Sequence, residues 1–205
     1  AFTVSHLRFG PRPIRSPYVI QKANFIGVHQ FGFLERFHIV EGAKEGATLL
    51  LNAPYERDQV WGYIPREVQE QIIAKRLKVY AINAYDVAAA TGMGNRINTI
   101  MQTCYFYLSG ILPPDQAIAE IKRAIVDTYG KRGQSVIDRN FQAVDASIER
   151  LYEIPLPARA EGDVTIPPPV PGEAPDYVRN IMGPLMTGAG DDLPSSALPV
   201  DGVFP

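Results

Sequence analysis

The run Thr91-Gly92-Met93-Gly94-Asn95-Arg96-Ile97-Asn98-Thr99 carries the most distinctive chemistry of this chain. Glycines let a backbone come close to a ligand, the first turn of a helix leaves amide hydrogens unpaired, and an arginine adds a forked cationic donor. Together they describe a site for an anion or an amide. A tight turn followed by a capped helix accounts for the same residues, because glycine-plus-cap sequences open many helices. Three shorter polar pairs stand where apolar runs stop: His29-Gln30, Asn52-Ala53 and Asn83-Ala84. Asn52 and Asn83 either face a ligand or cap the helices that follow them.

A strand-helix series must position these groups. Residues 23–28 (ANFIGV), 47–51 (ATLLL) and 77–82 (LKVYAI) are short apolar runs, each followed by helical spacing, at Phe33, Leu34 and Phe37, at Val60, Trp61 and Ile64, and at 85–89. Continuous apolar strands suit a sheet covered on both faces, and strand followed by helix implies parallel pairing. The fold class expected is α/β: three α/β/α layers around a mainly parallel, Rossmann-like sheet. All three polar pairs then fall on one rim, beyond the carboxyl ends of the strands, where open parallel sheets bind ligands. The two Asn-Ala junctions also hint at an internal repeat of one βα unit.

Beyond the glycine segment the spacing predicts three helices. The first carries Ile97, Ile100, Met101, Cys104, Leu108, Ile111 and Leu112 on one stripe, with Tyr105, Phe106 and Tyr107 making it apolar on most sides. A second starts at Pro113-Pro114-Asp115 and runs to Gly130; a third runs from about Ser135 to Tyr152 before Pro155 and Pro157. The expected division is a domain over 1–157 and a proline-rich extended tail over 158–205. Proline at that density removes backbone donors and favours extended chain, and only 177–182 (YVRNIM) has the makings of a helical turn. The chain also opens in what reads as a strand, at 2–6, and ends in a linker, the pattern of a piece of something larger.

Composition narrows the function classes. An apolar fraction of 46% with 20% charged residues describes a soluble globular chain, and a net charge of −2 gives no reason to expect nucleic acid. Arg8, Arg12 and Arg15 lie on a proline-stiffened loop, either solvated or clamping a phosphate or a neighbouring domain. A single cysteine, Cys104, falls in an apolar stripe and excludes a disulfide framework or a thiolate cluster held by this chain alone. His6, His29 and His38 lack the close pairing of a metal motif, so no metal site is expected. No apolar stretch is long enough to span a membrane and no signal peptide is apparent, so the expected compartment is the cytoplasm, without a membrane partner.

Longer stretches carry a family resemblance. TVSHLRFG at 3–10, PIRSPY at 13–18, GATLLLNAPY at 46–55, PREVQEQIIAKRLKVYAINA at 65–84, GMGNRINTIMQT at 92–103 and GILPPDQAIAEIKRAIVDTYGKRG at 110–133 resemble the single-chain pyruvate:ferredoxin (flavodoxin) oxidoreductases. They correspond to that family's central domain, the counterpart of the gamma subunit in multisubunit relatives, and SSALPVDGVFP at 195–205 is similar to the segment leading into the next domain. The resemblance implies an enzyme, a homodimer of multidomain chains, that decarboxylates pyruvate on thiamine diphosphate and Mg. It would pass electrons through 4Fe-4S iron-sulfur clusters to ferredoxin or flavodoxin and deliver the acetyl group to coenzyme A.

The departures from the family pattern are informative. The chain has neither a GDG…N diphosphate motif nor cysteine clusters, so the thiamine and iron-sulfur chemistry belongs to other domains, which become its expected partners. The glycine-rich GxGSDGTVGANK unit that usually opens the central domain is also absent, leaving a partial coenzyme A site. The resemblance thus implies that Gly94, Asn95, Arg96 and Asn98, with Asn52 and His29 at the rim, bind and gate coenzyme A. No residue here is expected to be catalytic by itself, and the competing reading is an interdomain scaffold without ligand contact.

Overall fold

The leucine run at the centre of the sequence decides the architecture, because consecutive residues of a strand face opposite sides of a sheet. In the computed structural model, which describes residues 3–203, a four-stranded sheet is ordered β1 (Ala23–Val28), β2 (Ala43–Asn52), β3 (Lys78–Ile82) and β4 (Tyr152–Glu153). β1, β2 and β3 are parallel, and β4 adds an antiparallel edge, pairing Glu153 with Tyr80 and Tyr152 with Ala81. Leu49 and Leu51 of β2 join Val79 in a core beneath α1 (Val60–Tyr63) and α2 (Arg66–Ala74). Leu50, between them, faces the other way, into a core with Ile82, α3 (Ala84–Ala90), α4 (Asn98–Ser109) and α6 (Gln134–Arg150). The three-layer α/β/α fold with a mainly parallel sheet follows, and α5 (Pro114–Tyr129) adds an outer layer by packing Ile121 and Ile125 on Ile137 and Val144 of α6.

Several expectations from local pattern are corrected. The crossover from β1 to β2 is not an α-helix but two 3-10 turns, Phe31–Glu35 and Ile39–Gly42. Phe31, Leu34 and Val40 still bury themselves against the sheet, so the apolar spacing served packing without a full helix. The second crossover helix is mainly α2, downstream of the Val60-Trp61 pair. Helix α4 ends at Ser109 and Gly110, which leaves Ile111 38% exposed, and Tyr105, Phe106 and Tyr107 are only half-buried. The third predicted helix stops at Arg150, since Tyr152 is drawn into the sheet edge by backbone pairing that periodicity does not register. Residues 3–6 are exposed and irregular instead of a strand; Phe2 lies outside the described residues, as do Phe204 and Pro205 of the tail.

The tail is extended at first and then forms a wide helical turn at Val178–Met182, continued by α7 (Gly183–Thr187), with Ile181 buried. Its extended part is strapped to the domain by one side chain, that of Gln69. This amide is completely buried, donates to the carbonyls of Trp61 (2.8 Å) and Ile64 (2.9 Å), and accepts the amide hydrogens of Glu161 (3.0 Å) and Gly162 (3.2 Å). All four of its hydrogen-bonding positions are therefore used. Arg66 adds a backbone bond to Val164 (2.8 Å) and a side-chain bond to the Gly162 carbonyl (2.9 Å), and Glu67 accepts from the Ile166 amide at 3.2 Å.

A second buried amide fixes the carboxyl rim of the sheet. Asn52 ends β2; its Nδ2 donates to the His29 carbonyl beyond β1 at 3.0 Å, and its Oδ1 accepts the Ala84 amide hydrogen that opens α3 at 3.0 Å. One side chain thus ties together the exits of all three parallel strands.

Two outcomes follow. A Cβ at Gly162 would stand 2.6 Å from Gln69 Nε2 and 3.2 Å from the Ile64 carbonyl, so Gly162→Ala should cost about 1–3 kcal/mol and speed amide exchange over 161–166 while β2 and β3 stay protected. Asn52→Ala strands the buried Ala84 amide and should lower stability in urea by about 1–3 kcal/mol, with Asn52→Asp, which keeps the acceptor, losing less.

Candidate ligand site at the carboxyl rim

The glycine segment is built from a helix end. Gly92 has φ +70°, its amide donates to the Ala89 carbonyl (3.3 Å), and Met93 donates to the Ala88 carbonyl (2.8 Å). This is a Schellman termination of α3, with Met93 buried in the same apolar cluster as Ala88. A Cβ at Gly92 would also meet Arg139 Cδ at 3.2 Å. The first glycine is accordingly explained by chain reversal. Gly94, with φ +64°, needs the same left-handed backbone, but open space surrounds it.

Between the buried anchors Met93 and Ile97 the chain presents Gly94, Asn95 and Arg96 outward, and Asn98 is exposed in the first turn of α4. Ile97 sits at the N-cap position, and no side chain caps the helix there. Its leading amide hydrogens are thus left to solvent or to a ligand. Thr99, one residue on, turns toward α6 and bonds Asn140 at 3.3 Å.

The other sequence-derived candidates gather at the sheet rim. Asn52 contacts His29 through the latter's carbonyl, while the His29 imidazole belongs to an exposed residue. Asn83, by contrast, is a helix cap: its Oδ1 accepts from the Asp86 amide at 3.2 Å and its Nδ2 donates to the Asp86 carboxylate at 2.8 Å. The two Asn-Ala junctions therefore look alike in sequence and do different work. Of the arginine cluster, Arg8 donates to the Ser16 carbonyl at 3.2 Å and lies over the Tyr18 ring, closing its own loop.

Beside Asn52 a cavity of about 180 Å³ opens at the ends of β1, β2 and β3, with Gln30, Phe31, Glu35, Tyr55 and Tyr85 in its wall. Gly94, Asn95, Arg96 and Asn98 do not line it. The rim thus carries two features: a cavity holding Asn52, and an exposed turn holding Arg96. Glu35, Tyr55 and Tyr85 escaped the reading of the sequence. Each follows a strand end by a few residues, and the parallel Asn-Ala-Pro-Tyr and Asn-Ala-Tyr stretches, 52–55 and 83–85, were the signal available.

Among the described residues no group of three or more His, Cys, Asp or Glu side chains could hold a metal ion. Cys104 is buried, and burial pushes its thiol up to about 12, so it stays protonated at neutral pH. No helix among the described residues is long and apolar enough to cross a membrane.

Comparison with known proteins agrees with this architecture. The chain is 54% identical over its whole length to a pyruvate-flavodoxin oxidoreductase of Rhodospirillum rubrum. It is 43% identical over 99% of its length to a probable pyruvate-flavodoxin oxidoreductase of Escherichia coli, and 39% identical over 99% to a pyruvate:ferredoxin oxidoreductase of Moorella thermoacetica. It spans 17% of the length of each of these curated relatives. The crystal structure of pyruvate oxidoreductase subunit PORC from Thermotoga maritima shares its fold, with a TM-score of 0.51 over 65% of this chain and 66% of that one, at 22% identity. A domain of unknown function, EKR, matches residues 163–205. The family model described as pyruvate ferredoxin/flavodoxin oxidoreductase matches residues 1–150, and the chain belongs to that family.

Proposed function

We propose that this chain is the coenzyme A-binding and gating part of an enzyme that oxidatively decarboxylates pyruvate and hands electrons to ferredoxin or flavodoxin. The observation that carries the reading is the exposed Gly94-Asn95-Arg96 turn, held between two buried anchors and followed by a helix without a side-chain cap. Arg96 donates through its guanidinium to a phosphate or carbonyl of the ligand, and Asn95, Asn98 and the uncapped amides that open α4 supply neutral hydrogen bonds. Asn52 and His29 bound the same ligand from the sheet rim. Holding the thiol toward the reacting intermediate is a contribution of proximity, with bond making done by other domains.

The chain's own residues do not fit the redox groups. One buried cysteine cannot ligate a 4Fe-4S cluster, and among the described residues no group of three or more His, Cys, Asp or Glu offers itself to the metal of thiamine diphosphate. Those groups lie in the neighbouring domains of a cytoplasmic, homodimeric enzyme on this reading, with 1–157 as the folded domain and 158–205 leading to the next.

An interdomain scaffold is the second reading, and a specific observation favours it. Val4, Leu7, Phe9, Tyr18 and Val19 leave much of their apolar surface exposed along the first segment, as do Leu185 and Met186 in the tail. Such surface suits contact with other domains. The two readings part at Arg96. In the intact enzyme Arg96→Ala should raise the apparent KM for coenzyme A about 10- to 100-fold, the loss of one charge-assisted hydrogen bond, with coenzyme A-independent decarboxylation of pyruvate unchanged. Steady-state kinetics with coenzyme A as the varied substrate makes the measurement, and an unaltered KM favours the scaffold.

A further inference from the structure

Residues 163–205, the stretch that matches a domain of unknown function, carry apolar surface with almost no core beneath it. Among the described residues of this stretch Ile181 is the one large apolar side chain that is buried, whereas Met182, Leu185, Met186, Leu198, Val200 and Val203 are exposed, Val200 completely. A segment of ~40 residues rarely stays folded on so little burial without a disulfide, a metal or a partner. The sole cysteine of the chain, Cys104, lies outside it, and among the described residues no group of ligating side chains could hold a metal ion. A partner surface is what remains.

The segment is nevertheless shaped. One side of its helical turn packs on the proline run: a Cβ at Gly183 would stand 3.2 Å from Pro169 Cγ and 3.7 Å from Val170 Cγ2. Met182, Leu185 and Met186, spaced i, i+3 and i+4, fall together on the turn and stay bare. Leu185 is pinned by the close approach of Gly190, where a Cβ would lie 2.7 Å from Leu185 Cδ2. The result is an ordered apolar knob of the kind that seats in a hydrophobic groove. Asp191, Asp192 and Asp201 follow it, exposed and without an ion pair among the described residues, so the complementary rim is basic.

Two observations choose the occupant. The entrance of the segment is tied to α2 by Gln69, Arg66 and Glu67, so the domain sets the direction in which the knob points. A partner that comes and goes needs a surface that is stable when bare, whereas permanent interfaces are the apolar ones. Most of each curated relative lies outside the matched stretch, since the chain spans 17% of it, and that polypeptide offers a permanent neighbour. We propose that 163–205 is a docking module whose Met182, Leu185 and Met186 knob seats in an apolar, basic-rimmed groove on another domain of the same polypeptide. This deepens the interdomain reading for the tail and rests on no residue of the coenzyme A site, so the two fail independently.

Peroxide oxidation of the full-length polypeptide that carries this chain, followed by peptide mass spectrometry, reads the knob directly. Met182 and Met186 should oxidise about tenfold more slowly than in urea, as the core residues Met93 and Met101 do, because exposure governs the rate. Asp191→Lys combined with Asp192→Lys should speed oxidation of both knob methionines several-fold at low salt and less at high salt. Leu185→p-benzoylphenylalanine, photo-cross-linked in enzyme assembled from a mixture of light and isotope-labelled chains, names the occupant. Adducts to residues beyond this stretch of the polypeptide that are wholly light or wholly heavy support the proposal. Adducts that join a light to a heavy chain assign a second copy, and adducts to residues 1–157 assign the module's own domain; either overturns it. Oxidation of Met182 and Met186 at the rate found in urea, or a rate that the two lysine substitutions leave unchanged, does the same.

Discussion

A strand whose residues are apolar on both sides cannot be left half in water, and β2 imposes that condition on the whole molecule. Leu49, Leu50 and Leu51 are all fully buried, alternating between two cores. Each such side chain contributes roughly 1.5–3 kcal/mol by leaving water, so helices must cover both faces for the strand to exist. Placing β2 between β1 and β3 also removes its edges from solvent, which suits so apolar a segment. The layers are thus a consequence of one short run of leucines.

The same strand delivers Asn52 to the one place where a buried amide is useful. Three parallel strands end together there, and their exits leave backbone groups that the sheet ladder cannot satisfy. Asn52 supplies both a donor and an acceptor to them. The rim tied in this way also borders a cavity, with Gln30, Phe31, Glu35, Tyr55 and Tyr85 in its wall. The Arg96 turn reaches a comparable end by other means: buried Met93 and Ile97 hold its ends, and the residues between are free to face a ligand. One feature is a cleft lined by neutral and acidic residues, the other a cationic and exposed turn.

Gln69 shows how a proline-rich segment can be ordered without a core of its own. Prolines remove backbone donors, but Glu161 and Gly162 precede the proline run and still offer their amides. A buried amide side chain on α2 takes both, and Gly162 alone permits so close an approach. The exit of the tail is therefore set by the domain and is not left to a free linker.

The sequence by itself determined the parallel strands, because 23–28, 47–51 and 77–82 are apolar runs whose burial needs no knowledge of partners, and β1 was legible to the residue. It also marked the rim as the place for polar groups, and its long motifs identified the family. Tertiary structure alone decided what depends on distant neighbours. Gln69 meets Glu161 from 92 residues away, Tyr152 leaves a helical register to pair with β3, and the β1–β2 crossover packs as 3-10 turns. Asn52 and Asn83, alike in local sequence, became a strand clamp and a helix cap because only the first is surrounded by the ends of other strands. Local periodicity reports which residues seek burial; which hydrogen bonds they complete is settled by whatever the fold brings beside them.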